Sequence, residues 1–316
     1  AFQYTGWTAS THFGESPVQG NSPYGFTQAA NGDWLVTDIQ DDAIHRYDAG
    51  FTYQASYPQA QDNWLTGLAT EALDTPTTSL DTVETTGAIY WATNYDEGCA
   101  YRFASDLTTV TDTVYFMPLI NAGAQGMIHY GQSKPRDIAR DGEGNWYVAD
   151  IGYQDRIYRF RPDWTFDDFY IIASPQDDFI ESVEIGQDGL IYVGGRDRVV
   201  YVYSPDNGQL LDSVSLKAQI TNPNGAIFGI RQGADGRLYI LEGQDDHVLV
   251  YNADWLYAGV AHDYTFTNPP YDGTNGYGFA REPDGHWIIS DIKYVNGVWT
   301  SEFNRYDQAF QYPETI

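Results

Sequence analysis

Pro135-Arg136-Asp137-Ile138-Ala139-Arg140-Asp141-Gly142-Glu143-Gly144-Asn145-Trp146-Tyr147-Val148-Ala149-Asp150, followed by Asp155-Arg156-Ile157-Tyr158-Arg159-Phe160, decides the fold. It reads as a strand, a Gly turn, an aromatic-rich strand ending in an acid, and a further strand. The middle of this phrase returns as Asn31-Gly32-Asp33-Trp34-Leu35-Val36-Thr37-Asp38 and as Asp284-Gly285-His286-Trp287-Ile288-Ile289-Ser290-Asp291. Shorter copies are Asp188-Gly189-Leu190-Ile191-Tyr192-Val193 and Asp235-Gly236-Arg237-Leu238-Tyr239-Ile240. A phrase recurring at a long, near-fixed period marks an array of one supersecondary unit.

The turn glycines Gly32, Gly87, Gly144, Gly189, Gly236 and Gly285 mark six units, spaced 55, 57, 45, 47 and 49 residues apart. Units of that length match four-stranded propeller blades. Within a unit the periodicity is two. Val199-Val200-Tyr201-Val202-Tyr203 and Val248-Leu249-Val250-Tyr251 are continuously apolar, as befits strands packed on both faces. No long helix is expected. The fifth unit reads as strand a over 227–231, strand b over 237–242, strand c over 247–251 and strand d over 255–260. The second unit is the poorest copy, with strand b over 86–91 and a long Thr-rich approach. The predicted fold class is all-β: a six-bladed β-propeller of four-stranded antiparallel blades. An extra N-terminal strand and loop would occupy 1–24, and the propeller 25–316.

Pro-x-x-Ile-Ala-x-Asp-x-x-Gly-Asn-x-Tyr-Val-Ala-Asp, then Arg-Ile and an aromatic, resembles the NHL repeat; residues 135–160 carry that resemblance nearly throughout. The other units match in part. The resemblance implies a six-bladed propeller and no single activity, since the fold carries binders, scaffolds and enzymes. Metal-dependent six-bladed lactonases are similar in architecture. Their motif opens with Glu-Gly-Pro, and the nearest text here, Gly14-Glu15-Ser16-Pro17, departs from it.

The net charge is −28, from 16 basic and 44 acidic residues, and only Lys134, Lys217 and Lys293 are lysines. Such a surface repels phosphate backbones and anionic lipid, which argues against nucleic-acid partners. The acids are dispersed, so they read as solubility in a salty medium rather than as one cation site. Cys99 is the lone cysteine, which excludes an intrachain disulfide and any Cys-based metal or haem site. No apolar run is long enough to span a membrane. A chain starting at Ala1, rich in Tyr and poor in Lys, fits a mature exported protein, at the cell surface or outside it.

Strands alternate direction, so the a–b and c–d turns share one face, while the b–c and d–a connections share the other. The second face receives the strand-b acids Asp38, Asp150, Glu242 and Asp291. It also receives the long loops 11–24, 59–66, 119–134 and 261–277. Oxygen ligands around a central channel suit Ca²⁺, so calcium is the expected cofactor if one is bound. The structural alternative is that each acid caps its own b–c loop. The inner-strand acids Asp137 and Glu181 are further channel candidates. His12, His129 and His262 fall in long-loop segments, where converging imidazoles suit zinc or acid–base work, though they share no motif spacing. His45 and His247 fall in strand c. No Gly-x-Ser-x-Gly elbow, His-Glu-x-x-His or P-loop is present. The loop 264–277 offers Tyr264, Phe266, Tyr271 and Tyr277 for stacking on a sugar or docking a partner.

The termini carry a second repeat. Ala1-Phe2-Gln3-Tyr4 recurs verbatim as Ala309-Phe310-Gln311-Tyr312, and Gly50-Phe51-Thr52-Tyr53 holds the equivalent place in the first unit. The C-terminal copy fits the outer strand of the sixth blade. The N-terminal copy, with Trp7 behind it, closes the ring in cis or pairs with a blade edge of another subunit. A head-to-tail contact that does not close builds a filament. Phe2, Tyr4, Trp7, Phe310 and Tyr312 are therefore the expected assembly residues. The function expected is an extracellular, non-enzymatic propeller that binds a protein or carbohydrate or assembles with itself. The alternative is a metal-dependent hydrolase, lactonase or polysaccharide lyase-like enzyme working on the long-loop face.

Overall fold

A computed structural model describes residues 23–29, 31–39, 42–50, 52–58, 64–71, 89–104, 107, 109–123, 132–152, 155–172, 179–233, 235–243, 247–263, 275–281, 286–295 and 298–306. The first blade is β1 (Pro23–Gln28), β2 (Trp34–Asp38), β3 (Ala43–Tyr47) and β4 (Tyr53–Pro58). The second is β5 (Leu65–Glu71), β6 (Ile89–Asn94), β7 (Cys99–Phe103) and β8 (Val110–Tyr115), and a helix, α1 (Phe116–Gly123), follows it. The third is β9 (Pro135–Arg140), β10 (Trp146–Asp150), β11 (Arg156–Phe160) and β12 (Phe166–Ile172). The fourth is β13 (Ile180–Ile185), β14 (Ile191–Gly195), β15 (Val199–Tyr203) and β16 (Leu210–Ser215). The fifth is β17 (Ile227–Gln232), β18 (Leu238–Glu242), β19 (His247–Tyr251) and β20 (Tyr257–Asp263). A sixth sheet holds β21 (Asn275–Arg281), β22 (Trp287–Val295) and β23 (Val298–Tyr306).

Each of these is an antiparallel meander in sequence order. The inner strands β1, β5, β9, β13, β17 and β21 contact their neighbours in turn, and β21 contacts β1, so the sheets form a closed ring. Radial packing leaves only short inner edges, protected where they line the channel. The expectation of six four-stranded blades is met by five. Among the described residues the sixth sheet has three strands, and the outer strand expected for it at 309–312 lies outside them. The first strand starts at Pro23, inside the segment assigned from sequence to an N-terminal loop ending at residue 24. In the second blade, strand b runs from Ile89 to Asn94, later than the 86–91 expected.

The repeated Gly turn has a backbone cause. Gly32, Gly144, Gly189 and Gly236 have φ of +88°, +88°, +77° and +78°. That region is one a side chain resists, so glycine recurs there. Each closes a four-residue turn by donating its N–H to the carbonyl three residues back, as Gly189 does to Gly186 at 2.9 Å. The turn Asp then grips strand b. The hydroxyls of Tyr192, Tyr239 and Tyr147 donate to Asp188 (2.7 Å), Asp235 (3.1 Å) and Asp141 (3.2 Å). In the fourth and fifth blades the Asp-Gly and Tyr of the phrase are thus one hydrogen-bonded unit.

Trp34, Trp146 and Trp287 open strand b in three blades and are fully buried. They fill the wedges between sheets. Trp146 stacks on Trp164 at 5.0 Å and 8° and meets Trp91 edge-on at 5.9 Å. The helix α1 was not foreseen. It drives Phe116 and Ile120 into this same cluster, so burial rather than length stabilises its eight residues.

Hydroxyls near the end of strand b staple neighbouring blades. Thr37 Oγ1 accepts from Gly25 N at 2.8 Å and donates to Thr66 O of the next blade at 2.6 Å. Ser290 Oγ accepts from Gly278 N at 2.7 Å and donates to Pro23 O at 3.3 Å, joining the sixth sheet to the first. Glycine at 25 and 278 leaves room for this approach. A Cβ on Gly25 would lie 2.3 Å from Thr66 O, and one on Gly278 would lie 2.5 Å from the Phe26 ring.

Candidate functional site

Every inner strand carries a β-bulge at the same place, between Pro23/Phe26, Leu65/Leu68, Ala149/Asp150 opposite β9, Ile180/Ser182, Ile227/Gly229 and Gly276/Phe279. A bulge re-aims side chains. The register sets Tyr24, Thr66, Arg136, Glu181, Phe228 and Tyr277 at equivalent positions, followed by Gly25, Gly67, Asp137, Ser182, Gly229 and Gly278. Where four blades have glycine, the third blade has Asp137.

Across the channel, Tyr24 Oη of the first blade donates to Glu181 Oε2 of the fourth at 2.7 Å. Arg136 Nε of the third blade lies 3.5 Å from that oxygen, and Arg196 Nε of the fourth lies 2.9 Å from Oε1. Glu181 is buried, yet two guanidinium groups and a phenol satisfy its charge, as a buried carboxylate requires. Burial, with the Glu181 charge adding to it, raises the Tyr24 phenol well above its ordinary range, so it stays a donor.

Beneath this strut lies a cavity of about 20 Å³, lined by Tyr24, Asp137, Glu181, Phe228, Arg231 and three glycines among others. That is room for about one water molecule. Asp137 accepts from Val183 N at 3.1 Å and from Ile138 N at 2.8 Å. Three residues after Glu181 in β13, Glu184 pairs with Arg231 at 3.2 Å. Burial pushes the Glu184 carboxyl up to about 7; Arg231 opposes this and Asp137 adds to it. Burial also raises Asp137.

At the mouth above the strut, aromatic and cationic side chains alternate. Trp64 stacks on Tyr95 at 5.4 Å and 26°. Lys134 and Arg136 lie over the Tyr95 ring at 4.6 and 4.7 Å, and Arg196 lies over Phe179 at 4.8 Å.

Of the strand-b acids, Asp150 caps its own b–c loop. Asp150 accepts from Lys134 N (2.9 Å), Gly152 N (2.7 Å) and the Ser133 hydroxyl, tying its own b–c loop to the preceding d–a connection. Glu242 accepts from Ala226 N at 3.2 Å, and Asn94, in the same register position, accepts from Glu97 N at 2.8 Å. Asp38 is fully buried opposite Pro23, and Asp291 stands opposite Gly276. They sit one to a blade. Among the described residues no group of three or more His, Cys, Asp or Glu side chains is placed to hold a metal ion.

His262 lies in strand β20 opposite Val248, not in a loop, because β20 runs on to Asp263. His45 is buried with Nδ1 2.8 Å from Ser56 Oγ. His12 and His129 lie outside the described residues. So do Phe2, Tyr4, Trp7, Phe310 and Tyr312, and Tyr264, Phe266 and Tyr271; Tyr277 falls in β21 at the register position of Tyr24. Cys99 is buried, and burial with nearby Glu97 pushes its thiol up to about 12, which makes it inert.

On the opposite face, a groove of about 640 Å³ separates the third and fourth blades, with Asp141, Tyr147, Arg159 and Pro205 among its lining. Its polar groups serve the fold. Asp141 binds its own turn amides and Tyr147, and Arg159 donates to Pro205 O at 2.5 Å and pairs with Asp167 at 2.6 Å.

Of the inner-strand acids singled out by sequence, the structure brings Glu181 to the strut and Asp137 to the cavity beneath it. Tyr24, Trp64, Tyr95, Lys134, Phe179, Glu184, Arg196 and Arg231 were not foreseen. Aligning the inner strands on their bulge would have exposed Tyr24, Arg136 and Glu181 as one ring of positions.

No protein-family model matches the chain. No curated protein matches it either. Solved structures do. A luciferin-regenerating enzyme aligns over 91% of this chain and 92% of its own, with a TM-score of 0.61 and 11% identity. Virginiamycin B lyase from Staphylococcus aureus, determined with quinupristin, aligns over 92% and 85%, with a TM-score of 0.58 and 12% identity. A protein of unknown function from Bacteroides caccae aligns over 85% and 87%, with a TM-score of 0.57 and 13% identity. At such identities the likeness establishes the β-propeller fold alone.

Proposed function

We propose that the chain is an exported, non-enzymatic propeller that works outside the cell by binding at the channel mouth and by self-assembly. The Tyr24–Glu181 strut carries the binding half. It bridges the channel above a cavity with room for about one water molecule, which favours the mouth as the place for a ligand. Two of the candidate carboxylates are already engaged, Glu181 by two arginines and a phenol, and Asp150 by two amides and a hydroxyl. The acidic, Lys-poor composition supports export. Metal analysis and a broad turnover screen, with Asp150→Ala alongside, test the non-enzymatic part. The expected result is no bound metal and no turnover. Stoichiometric calcium, or product formation lost in Asp150→Ala, would instead support a metal-dependent hydrolase, lactonase or lyase-like enzyme.

A separate observation favours self-assembly. Outer strands β12 and β20 open with an aromatic pair, Trp164-Thr165-Phe166 and Trp255-Leu256-Tyr257. The first aromatic of each has φ of +63° or +62°, and it falls four residues after the end of strand c. Phe51-Thr52-Tyr53 has the same spacing from β3, and Phe310-Gln311-Tyr312 has it from β23. Phe2-Gln3-Tyr4 is then one outer-strand opening more than the sheets require. In trans it would pair with an edge of another subunit and, unclosed, extend a filament.

A further inference from the structure

The mouth is built from two repeated backbone positions. The residue after strand b donates its N–H to the carbonyl of the residue before strand a: Tyr95 to Trp64 (2.9 Å), Ile151 to Lys134 (3.1 Å), Arg196 to Phe179 (3.2 Å) and Gly243 to Ala226 (3.2 Å). The fifth blade fills both places with small residues. The second, third and fourth fill five of six with large ones other than Ile151, all aromatic or cationic. Three consecutive blades therefore present one continuous band.

The band is open to solvent at both ends. Trp64 is 44% exposed, Phe179 is 45% exposed, and the Arg196 side chain is 49% exposed. Among the described residues, the band's own charges are Lys134, Arg136 and Arg196 against Glu181. Of the acids in the adjoining b–c turns, Glu97 and Asp197 are taken up by the hydroxyls of Tyr101 and Tyr201 on strand c, which leaves Asp96 as the exposed one. Asp150 lies beneath, buried and turned to backbone amides. In a chain of net charge −28, a local excess of cations marks a place for an anion. The remaining field repels a polyphosphate or an anionic membrane, so the anion must carry sparse charge. Flat aromatic faces beside the cations suit neutral ring faces between the charges, and arginine matches a carboxylate.

Resting on the binding function above, we infer that this band binds an acidic saccharide, its carboxylates on Arg196, Arg136 and Lys134 and its ring faces on Trp64 and Phe179. The test is calorimetric titration of the full chain at low ionic strength with three probes. These are a galacturonate hexamer, the same hexamer fully methyl-esterified, and hexaglutamate. The charged sugar should bind saturably, and both controls should bind at least about tenfold more weakly. Affinity should fall as salt rises, since exposed charges are screened. Arg196→Gln and Trp64→Ala, both at exposed positions, should each weaken binding about five- to thirtyfold while far-ultraviolet circular dichroism stays unchanged.

Equal binding of ester and acid would overturn acid recognition and leave the binding function standing. Equal binding of hexaglutamate would make the partner an acidic peptide and overturn the saccharide. No binding of any probe, or full affinity in Arg196→Gln, would also overturn the inference. Shortening of the hexamer during titration would sustain recognition of the sugar and overturn the non-enzymatic function.

Discussion

Tyr24 and Glu181 are 157 residues apart and belong to inner strands that stand opposite one another in the ring, yet their side chains meet at 2.7 Å. In a propeller with an open channel, opposite blades communicate only around the circumference. Here the first and fourth blades are tied directly, and Arg136 draws in the third. The channel becomes a structural hub, and the mouth is left as the surface for recognition.

Ring closure should depend on Ser290. Its hydroxyl satisfies Gly278 N–H and reaches Pro23 O, both buried. Ser290→Ala leaves a buried amide without its acceptor, which costs about 1–3 kcal/mol. Denaturant unfolding should show that loss. Thr37→Ala, which breaks the matching staple between the first two blades, should cost a similar amount.

Two glycines should respond very differently to alanine. At Gly25 an added Cβ meets Thr66 O at 2.3 Å, a backbone atom that cannot yield without opening two blades. At Gly189 nothing lies within 4 Å, and only its φ of +77° opposes the change. Gly189→Ala should lower stability by about 1–2 kcal/mol. Gly25→Ala should cost clearly more and lower the yield of folded protein. Parallel thermal melts of the two variants check this.

Much of this was legible beforehand. The Asp-Gly phrase revealed the ring because the turn needs a left-handed glycine and the Asp needs its strand-b Tyr, and both are local demands. The mouth was not legible. Tyr24 and Glu181 meet only once the ring closes, and no spacing encodes a contact across it. From sequence Asp150 reads equally as a metal ligand or as a cap on its own b–c loop, because an acid on a channel face suits both. Its partners, Lys134 and Gly152, are backbone amides that sequence does not distinguish. The helix α1 was missed because its amphipathic run is short and contains Pro118, tolerated in the first helical turn.

Stability should fall as pH rises from about 4.5 to 7. Burial holds the Glu184 carboxyl up at about 7, so the folded protein binds a proton that the unfolded chain has released. The raised value stabilises the fold at acid pH, and that contribution is lost as pH climbs through the folded value. The slope is at most about 1.4 kcal/mol per pH unit from this group. Asp137, raised in the same direction, begins the decline at lower pH. Glu184→Gln should flatten the dependence between pH 5 and 7 in buffered denaturant titrations.

Removing residues 1–10 should abolish assembly without unfolding the propeller, since the five four-stranded blades are complete within the described residues. Electron microscopy of the full and truncated chains would show filaments in the first and separate particles in the second. Identical assemblies, or particles in both, would set strand donation aside.

A double-mutant cycle between Tyr24→Phe and Glu181→Gln tests the bridged channel most directly. A buried hydrogen bond to a charged acceptor contributes about 1.5–3 kcal/mol. The cycle should therefore return a coupling free energy of at least about 1 kcal/mol, since residues without contact are additive to within about 0.5 kcal/mol. A coupling indistinguishable from zero would mean that the two side chains do not meet, and the account of a bridged channel with recognition at its mouth would be wrong.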